Sequence, residues 1–457
     1  MADARDDEGL EPWVERQFRY AASAMLESVS PVHIVKARPG FGQTIRPQKG
    51  SVVASPALAD WDPEPDYFFH WYRDSAIVMD SLRLLVNAGT VGPEARTHFK
   101  DFIDFSLSLR QLDGRTLAAG ASWRNNCAPE FVKFLRPDSE LARVNGDAVL
   151  AETRVNADGT LDIAKWTRPQ HDGAPRRALA VLRWIRDVRF DTDLGTELRI
   201  DLSELVRADL AFTARRWHEP SYDMWEEEEG LHYYTLSVSA AALEVGAQWL
   251  ESSGDWELAQ SYRAEGQAIC RALDRFWLPE AGYLRSRILS SGVRSSKELD
   301  ISVILAAIHS AGEGISHTVR DPRMRSTLAE LERLFDAAYP INHLLAKGAA
   351  PAMGRYAGDV YFSGGAYYFS TLGAAEFCFR AAGDGADSEH WIERGNAFLD
   401  TVRAFTPHSG EMSEQFDQRT GAQTSARNLA WSYAAFISCI AARRLVVPGT
   451  KRVASNS

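Results

Sequence analysis

Apolar residues recur at intervals of three and four along most of the chain, which is the spacing of one face of an α-helix. Strand-like alternation of apolar and polar residues is scarce. The pattern predicts about twelve helices, most of them roughly 10 to 20 residues long. The predicted ranges are 12–28, 76–86, 93–109, 175–187, 202–217, 233–252, 256–276, 297–309, 322–339, 364–382, 388–405 and 424–444.

The predicted helices follow one another in pairs, with a spacing of roughly 30 to 40 residues per pair. Such regular pairing favours helical hairpins that close into an all-α toroid rather than several separate domains. We therefore expect one domain over residues 1–447 and a disordered tail over residues 448–457.

Motifs that combine aromatic and charged residues stand before alternate helices. If the helices form an inner and an outer ring, the segments before alternate helices converge on one face of the molecule. The helices that follow such motifs begin near Ala76, Pro175, Leu231, Gly364 and Thr424.

Composition narrows the class of ligand. The 457 residues are 45% hydrophobic, which is enough for a large core, and 51 Lys and Arg stand against 62 Asp and Glu, for a net charge of −11. Nucleic acids and anionic membranes need basic faces, so neither is the expected partner. A neutral ligand fits better, and the many aromatic rings include faces on which sugar rings can stack.

The ends and the cysteines indicate a cytoplasmic protein. The acidic N-terminus has no apolar run of the kind found in secretory signals, and no stretch approaches the ~20 apolar residues of a membrane span. The four cysteines, Cys127, Cys270, Cys378 and Cys439, lie far apart without metal-type spacing, so we expect free thiols. We expect no metal and no organic cofactor.

One stretch places an indole directly before a row of carboxylates, with Trp225 followed by Glu226 to Glu229. Neighbouring like charges and an adjacent apolar ring both raise a carboxyl pKa, and a carboxylic acid that stays protonated near neutrality is a general acid. The alternative is an acidic first turn of the helix that follows from Leu231. Charge runs are usually solvated faces, so the run alone leaves both interpretations open.

A second candidate is the pair Arg73 and Asp74, which comes behind a run of aromatic rings at the start of a predicted helix. Such a pair could hold sugar hydroxyls through two hydrogen bonds, or it could be a structural ion pair. Glu414, in a glycine-interrupted segment of the second half, is the natural partner for Glu226. Glycoside hydrolysis requires two carboxyl groups, one as acid and one as base or nucleophile.

Five segments in order together resemble the glucoamylase family, glycoside hydrolase family 15. They span roughly Tyr67 to Tyr433, and a sixth similar segment follows the last of them. The resemblance implies an (α/α)6 barrel with long loops on its catalytic face. The segments are 67–75, 166–173, 223–227, 354–361 and 413–417, with 425–433 behind them.

The resemblance also implies the reaction and its residues. It is that of an inverting exo-hydrolase that releases β-glucose from non-reducing ends, with Glu226 as general acid and Glu414 as general base. The two carboxyl groups should then stand about 6.5–9.5 Å apart, and the acid should titrate above the base. The implied substrate-binding residues are Tyr67, Trp71, Arg73, Asp74, Trp166, Arg168, Trp225, Glu227 and Arg355.

Four departures from the family's pattern bear on the substrate: Ala357-Gly358, Tyr367, Thr167 and Met224. Most of them are expected near the leaving sugar, so they leave the linkage open between α-1,4 and α-1,6 in short α-glucosides. Trehalose is a further alternative. A non-catalytic sugar-binding barrel would belong to a different class, but it would have no use for both carboxylates.

Overall fold

The computed structural model of the protein describes residues 8–60, 63–188, 196–310, 317–346, 348–383 and 387–447. Within these ranges, twelve helices of at least seven residues alternate along the chain between an inner and an outer ring. They are α1 Leu10–Leu26, α2 Tyr72–Asn87, α3 Glu94–Leu109, α4 Gly173–Asp187, α5 Thr196–Arg216, α6 Tyr233–Ser252, α7 Trp256–Leu273, α8 Ser302–His309, α9 Pro322–Ala338, α10 Tyr368–Ala382, α11 Ser388–Phe405 and α12 Ala430–Val446.

The even-numbered helices form a closed inner ring. Each contacts the next even-numbered helix, and α12 returns to α2. The odd-numbered helices pack outside this ring against their neighbours in sequence, as α7 does against α6 and α11 against α10. The all-α prediction of an (α/α)6 barrel is therefore confirmed.

Burial patterns explain which helices lie inside. Inner helix α6 buries residues around its whole circumference, as expected for a helix surrounded by others. Outer helix α7 buries a single stripe at intervals of three and four, and its charged residues lie on the other faces. That stripe consists of Ala259, Tyr262, Gly266, Ile269 and Leu273.

The starts of several inner helices differ from the prediction. Helix α2 begins at Tyr72 rather than Ala76, so Arg73 and Asp74 lie in its first turn. Helices α8, α10 and α12 begin later than predicted, at Ser302, Tyr368 and Ala430. Before α10, Ala366–Tyr367 forms a short antiparallel strand paired with Gln415–Phe416, and before α12, Gln423–Thr424 pairs with the same strand.

Short strands like these precede most of the inner helices, and two to four residues are too few to show a period of two in the sequence. Three of the five sheets contain segments that precede inner helices. The sheets are Phe69–Trp71 with Arg154–Asn156; Ser221–Tyr222 with Glu229–His232 and Arg287–Leu289; Ala366–Tyr367 with Gln415–Phe416 and Gln423–Thr424; Lys36–Arg38 with Gln43–Ile45; and Trp277–Leu278 with Tyr283–Leu284.

Three further predictions concern the ends, the membrane and the cysteines. The proposed tail over 448–457 lies outside the described residues, and a single domain over 1–447 stays a prediction. In the described part of the chain no helix is both long and apolar enough to cross a bilayer. All four cysteines are free, and Cys127, Cys378 and Cys439 are buried.

Candidate active site

The segments that lead into the inner helices meet at one face of the barrel. Arg73 at the start of α2 lies 3.7 Å from Glu226, which precedes α6. The hydroxyl of Tyr67 lies 2.7 Å from that of Tyr361, which precedes α10. Trp225 donates its indole N–H to Asp300, which precedes α8, at 2.9 Å. The loops that carry the motifs therefore lie close together at this face, as the sequence predicted.

Glu226 lies in a tight turn between two strands, Ser221–Tyr222 and Glu229–His232. Its backbone has φ +67°, a conformation that residues other than glycine rarely adopt and that is found disproportionately at functional sites. One carboxylate oxygen of Asp223 accepts the N–H groups of Glu227 and Glu228, each at 2.8 Å. The acidic run is therefore not the first turn of a helix, and that alternative is wrong.

The carboxylate of Glu226 is held by two indoles. Trp71 donates its N–H to Oε1 at 2.8 Å, and Trp166 donates its N–H to Oε2. The Glu226 side chain is only 10% exposed. Burial raises the pKa of Glu226, while Arg73 and the Trp166 hydrogen bond oppose that rise.

We expected the neighbouring carboxylates of the acidic run to raise the pKa of Glu226. They contact other partners instead, so this expected cause is wrong. Glu228 accepts from Arg287 at 2.8 Å and from Ser295 at 2.7 Å, and Glu229 is exposed. The like charge that helps to raise the pKa of Glu226 is Asp74, a smaller cause than burial.

Glu414 is also buried, with 8% of its surface exposed. The strand pairing of Gln415 with Thr424 continues to Glu414, whose N–H donates to the carbonyl of Ala426 at 2.8 Å. The hydroxyl of Ser425 donates to its carboxylate. Burial raises the pKa of Glu414 to about 7, and the bond from Ser425 opposes that rise.

Two aromatic side chains connect the carboxyl groups. The Tyr67 hydroxyl lies 3.4 Å from Oε1 of Glu414, and the Tyr67 ring packs against that of Trp71 with centroids 5.2 Å apart. Trp71 in turn bonds Glu226. Both acids thus border one cluster of side chains. Burial raises the pKa of both groups, that of Glu414 to about 7, so these shifts do not support the expectation that the acid titrates above the base.

Arg73 and Asp74 form a buried pair beside Glu226. Arg73 Nε donates to Asp74 Oδ1 at 3.0 Å, and Nη1 donates to Asp172 at 3.3 Å. Burial raises the pKa of Asp74, and Arg73 opposes this. Among the described residues, none donates a hydrogen bond to Asp74 Oδ2, so this oxygen can accept one from a ligand hydroxyl.

Arg355 and Glu227 form a second charged group near the same face. Arg355 binds Asp359 through two nitrogens, each at 2.7 Å, and reaches Glu227 at 3.1 Å. Glu227 also accepts from the Tyr356 hydroxyl at 2.6 Å and from Lys297 at 2.7 Å. These contacts fix Glu227 while leaving about a quarter of its side chain, 24%, exposed.

Trp166 and Arg168 lie together, but their surroundings differ. The guanidinium of Arg154 stacks on the Trp166 ring at 3.7 Å, which leaves the indole N–H for Glu226. Arg168 donates to Glu152 at 2.7 Å, to Asp162 at 3.1 Å and to the Trp166 carbonyl at 3.1 Å. Arg168 thus binds the backbone that carries Trp166, rather than presenting a free guanidinium.

Trp225 belongs to a stack of aromatic rings. Its ring centroid lies 5.9 Å from that of Phe369, and Phe369 stacks on Trp431 at 4.3 Å with an interplanar angle of 6°. Arg73 lies over the Trp431 ring at 5.5 Å. Tyr367, one of the departures from the family pattern, is fully buried and donates its hydroxyl to Asp359 at 3.2 Å.

Sequence reasoning did not select Tyr361, Ser425 or Lys297 as site residues. Tyr361 and Ser425 lie inside segments that carried the resemblance, so position in a motif was a usable signal. Lys297 lies in no such segment and meets Glu227 only through the fold. Within the described ranges, no group of three or more His, Cys, Asp or Glu side chains is arranged to hold a metal ion.

The family model described as "Glycosyl hydrolases family 15" matches residues 144–394 and 390–441. The chain belongs to this family. It is a glucoamylase-like glycoside hydrolase. Both Glu226 and Glu414 lie inside the matched residues, whereas Arg73 and Asp74 lie before them.

Curated relatives match almost the whole family 15 chain. "Probable glucoamylase" of Schizosaccharomyces pombe is 27% identical over 96% of this chain and 92% of its own length. "Glucoamylase, intracellular sporulation-specific" of Saccharomyces cerevisiae is 26% identical over 95% of this chain and 84% of its own. The solved family 15 glucoamylase of Hypocrea jecorina superimposes with a TM-score of 0.76 at 23% identity, over 96% of this chain and 73% of that one.

Proposed function

We propose that this family 15 enzyme is an inverting exo-acting α-glucosidase that removes β-glucose from the non-reducing ends of short α-glucans. The single observation that carries the proposal is the pair of buried carboxyl groups, Glu226 and Glu414, connected by Tyr67 and Trp71. Two carboxyl groups flanking one site are what glycoside hydrolysis requires. No metal or organic cofactor takes part in this chemistry.

Glu226 is the proposed general acid. Its proton goes to the glycosidic oxygen as the bond from that oxygen to C1 breaks, so the leaving sugar departs as a neutral alcohol. Burial supports this role because it raises the pKa of the carboxyl group and so favours the protonated form. The indoles of Trp71 and Trp166 fix the direction in which the carboxyl group can donate.

Glu414 is the proposed general base. It takes a proton from a water molecule whose oxygen attacks C1 on the face opposite to the leaving group, which inverts the anomeric centre. Ser425 favours the charged carboxylate that this role needs, because its hydroxyl donates to Glu414. The cycle closes when Glu414 releases its proton to solvent and Glu226 takes one up.

The remaining charged residues are proposed to hold the sugars on either side of the broken bond. The free oxygen of Asp74 accepts a hydrogen bond from a hydroxyl of the terminal glucose, and Arg73 orients Asp74. Arg355 lies at the other edge of the terminal glucose, and Glu227, with its partner Lys297, contacts the leaving sugar. Trp225 packs against Phe369 in the aromatic stack. Arg168 contributes indirectly, because it binds the carbonyl of Trp166 and so helps to position that indole.

Glutamine variants test the two roles separately. Glu226→Gln removes the proton donor, so hydrolysis of maltose falls by roughly three orders of magnitude or more, whereas α-glucosyl fluoride, whose leaving group needs no proton, retains much more activity. Glu414→Gln removes the base and abolishes turnover of both substrates. The measurement is kcat/KM on each substrate, with circular dichroism to confirm folding.

The matched control is Glu229→Gln, the same substitution at an exposed position of the same acidic run. It is expected to leave both activities at the wild-type level. Near-wild-type maltose hydrolysis by either Glu226→Gln or Glu414→Gln would remove that residue from the proposed mechanism.

The preferred linkage is the open part of the substrate proposal. Ala357 and Gly358 are small and exposed, and a Cβ added to Gly358 would meet nothing within 4 Å. This open surface leaves room for a leaving sugar that approaches at another angle, as in α-1,6 linkages. A panel of maltose, isomaltose, kojibiose, nigerose and trehalose, compared by kcat/KM for glucose release, decides between the linkages.

We also propose a cytoplasmic location. Four free cysteines, three of them buried, are consistent with a reducing compartment. The Saccharomyces cerevisiae relative is named as intracellular. Fractionation of the source cells would test the location, and recovery of the enzyme from the medium would contradict it.

A further inference from the structure

A cavity of about 540 Å³ lies outside the candidate active site and shares none of the site residues described above. Its walls come from the hairpin that holds Gln43–Ile45, from the short helix Gly114–Ala119, and from the segment around Leu161. A volume of this size is within the roughly 300–1,000 Å³ typical of small-molecule sites.

The polar groups of this cavity are mostly neutral and unused. Gln43, Thr44, Thr116 and Asn126 line it, and none of their side chains has a hydrogen-bond partner among the described residues. Amides and hydroxyls of this kind both donate and accept, as sugar hydroxyls do. They are therefore available to a ligand with a hydroxyl edge.

Charge excludes an anionic ligand for this cavity. Among the described residues that line it, the charged ones are Asp113 and Asp158, and neither is a cation. Asp113 is paired with Arg115, and Asp158 accepts from Thr160 at 2.7 Å. A phosphate or carboxylate ligand would meet no positive partner there, whereas the hydroxyls of a neutral polyol can donate to these carboxylates.

An indole gives the cavity an apolar face. Trp123 lines it, and the ring is fixed because its N–H donates to the Leu117 carbonyl at 2.9 Å and Arg124 covers one ring face at 4.3 Å. Arg124 is itself paired with Asp138. Phe41 and Ile163 add apolar surface. Aromatic surface beside neutral donors and acceptors suits a ring with apolar faces and polar edges.

The wall that carries Asn126 is packed closely against the hairpin. Gly42 has φ +65°, and a Cβ placed there would lie 2.3 Å from the carbonyl oxygen of Asn126. Only glycine fits at this close contact between the two backbones, and the contact keeps Asn126 at the edge of the cavity.

We propose that this cavity is a second, non-catalytic carbohydrate site that binds a short segment of α-glucan. The choice of α-glucan as ligand rests on the proposed function, while the neutral polyol chemistry rests on the cavity alone. Such a site would hold a longer substrate against the enzyme while its end is being hydrolysed.

Isothermal titration of maltotriose into the Glu414→Gln protein, in which turnover is abolished, tests the proposal. Two binding events per chain are expected. Asn126→Ala in the same background weakens one of them by about tenfold and leaves the other unchanged, since it removes one hydrogen-bonding amide. Asn126 is exposed and has no side-chain partner in the described chain, so its loss does not threaten the fold.

Asn125→Ala is the matched control, because Asn125 is the same residue type, is exposed, and does not line the cavity. Trp123→Phe, which keeps an aromatic ring in place, should weaken the same event as Asn126→Ala. A single binding event, or two events that Asn126→Ala leaves unchanged, would overturn the proposal.

Glucose release by the wild-type enzyme separates this proposal from the proposed function. If glucose is released normally but Asn126→Ala leaves maltotriose binding unchanged, the second site is wrong and the function stands. If no glucose is released from any α-glucoside while Asn126→Ala still weakens binding, the function is wrong and the carbohydrate site stands.

Discussion

At the scale of single residues, the two carboxyl groups differ in how their pKa values are controlled. Glu226 is held by indole N–H groups and faces Arg73, so the burial that raises its pKa is opposed by several partners. The rise in the pKa of Glu414 is opposed chiefly by the hydrogen bond from the Ser425 hydroxyl. Ser425 is therefore the side chain through which the pH dependence of the enzyme is most easily changed.

Ser425→Gly is predicted to move the acidic limb of the kcat/KM profile to higher pH. A general base acts unprotonated, so kcat/KM rises as the pH passes the pKa of Glu414, which is about 7. Loss of the Ser425 hydroxyl removes a bond to the charged form, and the pKa rises further. Glycine tolerates the φ of +63° at this position.

The measurement is the pH profile of kcat/KM on maltose for both proteins. Its limbs report apparent values for the interacting pair of carboxyl groups. Ser30→Gly is the matched control, because Ser30 is also a serine with positive φ, 52°, and lies outside the site. An acidic limb that stays in place or moves to lower pH would contradict the role given to Ser425.

The sequence was informative for residues whose own neighbours are unusual. The indole and carboxylates around Glu226, and the pair Arg73 and Asp74, stand out in the linear pattern. Lys297 has ordinary neighbours, and its contact with Glu227 exists only because separate segments meet. The surroundings of Arg168 depend likewise on Glu152 and Asp162, which no local pattern links to it.

At the scale of elements, the turn that carries Glu226 is the feature on which the site depends most. Asp223 is buried at its base and accepts two backbone N–H groups of the turn. Arg287 lies 3.4 Å from the other oxygen of Asp223 and balances its charge. The strained backbone of Glu226 is held in place by these bonds.

Asp223→Ala is predicted to loosen this turn. It leaves two N–H groups without their acceptor, at a cost of about 1–3 kcal/mol for each one that stays buried. Displacement of Glu226 should lower kcat/KM by about 10- to 100-fold. Asp223→Asn, which keeps one acceptor oxygen, should lose much less. Equal activity in Asp223→Ala and wild type, measured as glucose release, would show that the turn is positioned by other contacts.

The sequence predicted the helices better than the strands for a physical reason. An amphipathic helix shows its period over several turns, whereas Gln415–Phe416 and Gln423–Thr424 are each two residues long. These strands nevertheless place Ser425 beside Glu414. The starts of α10 and α12 were predicted several residues early because such strands carry no periodic signal.

At the scale of the whole molecule, a buried network of charged side chains connects three helices of the inner ring. Asp80 of α2 accepts from Arg83 at 2.9 Å, and from Arg176 and Arg183 of α4 at 2.9 and 2.6 Å. Arg183 also donates to the carbonyl of His309 at the end of α8, at 2.8 Å. One carboxylate thus joins two inner helices directly and a third through Arg183.

Asp80→Ala is predicted to destabilise the protein by about 3–5 kcal/mol, because it leaves buried guanidinium groups without their counter-charge. The measurement is the free energy of unfolding from chemical denaturation. The matched control is Asp104→Ala, which removes an exposed partner of Lys100 and should cost about 0–1 kcal/mol. Similar losses in the two variants would mean that the network does not stabilise the ring.

The ring itself was predictable because the motifs recur before alternate helices, and alternate helices share one ring. The cavity that contains Trp123 was not predictable, because its walls come from segments far apart in the chain.

The most direct test of the central claim is the anomeric form of the glucose that the wild-type enzyme first releases. Proton NMR of an early time course on maltose, or on the best disaccharide of the panel, separates the α and β anomers before they equilibrate. The account predicts β-glucose, because Glu414 activates water on the face opposite to Glu226. Initial release of α-glucose would contradict inversion and the base role of Glu414.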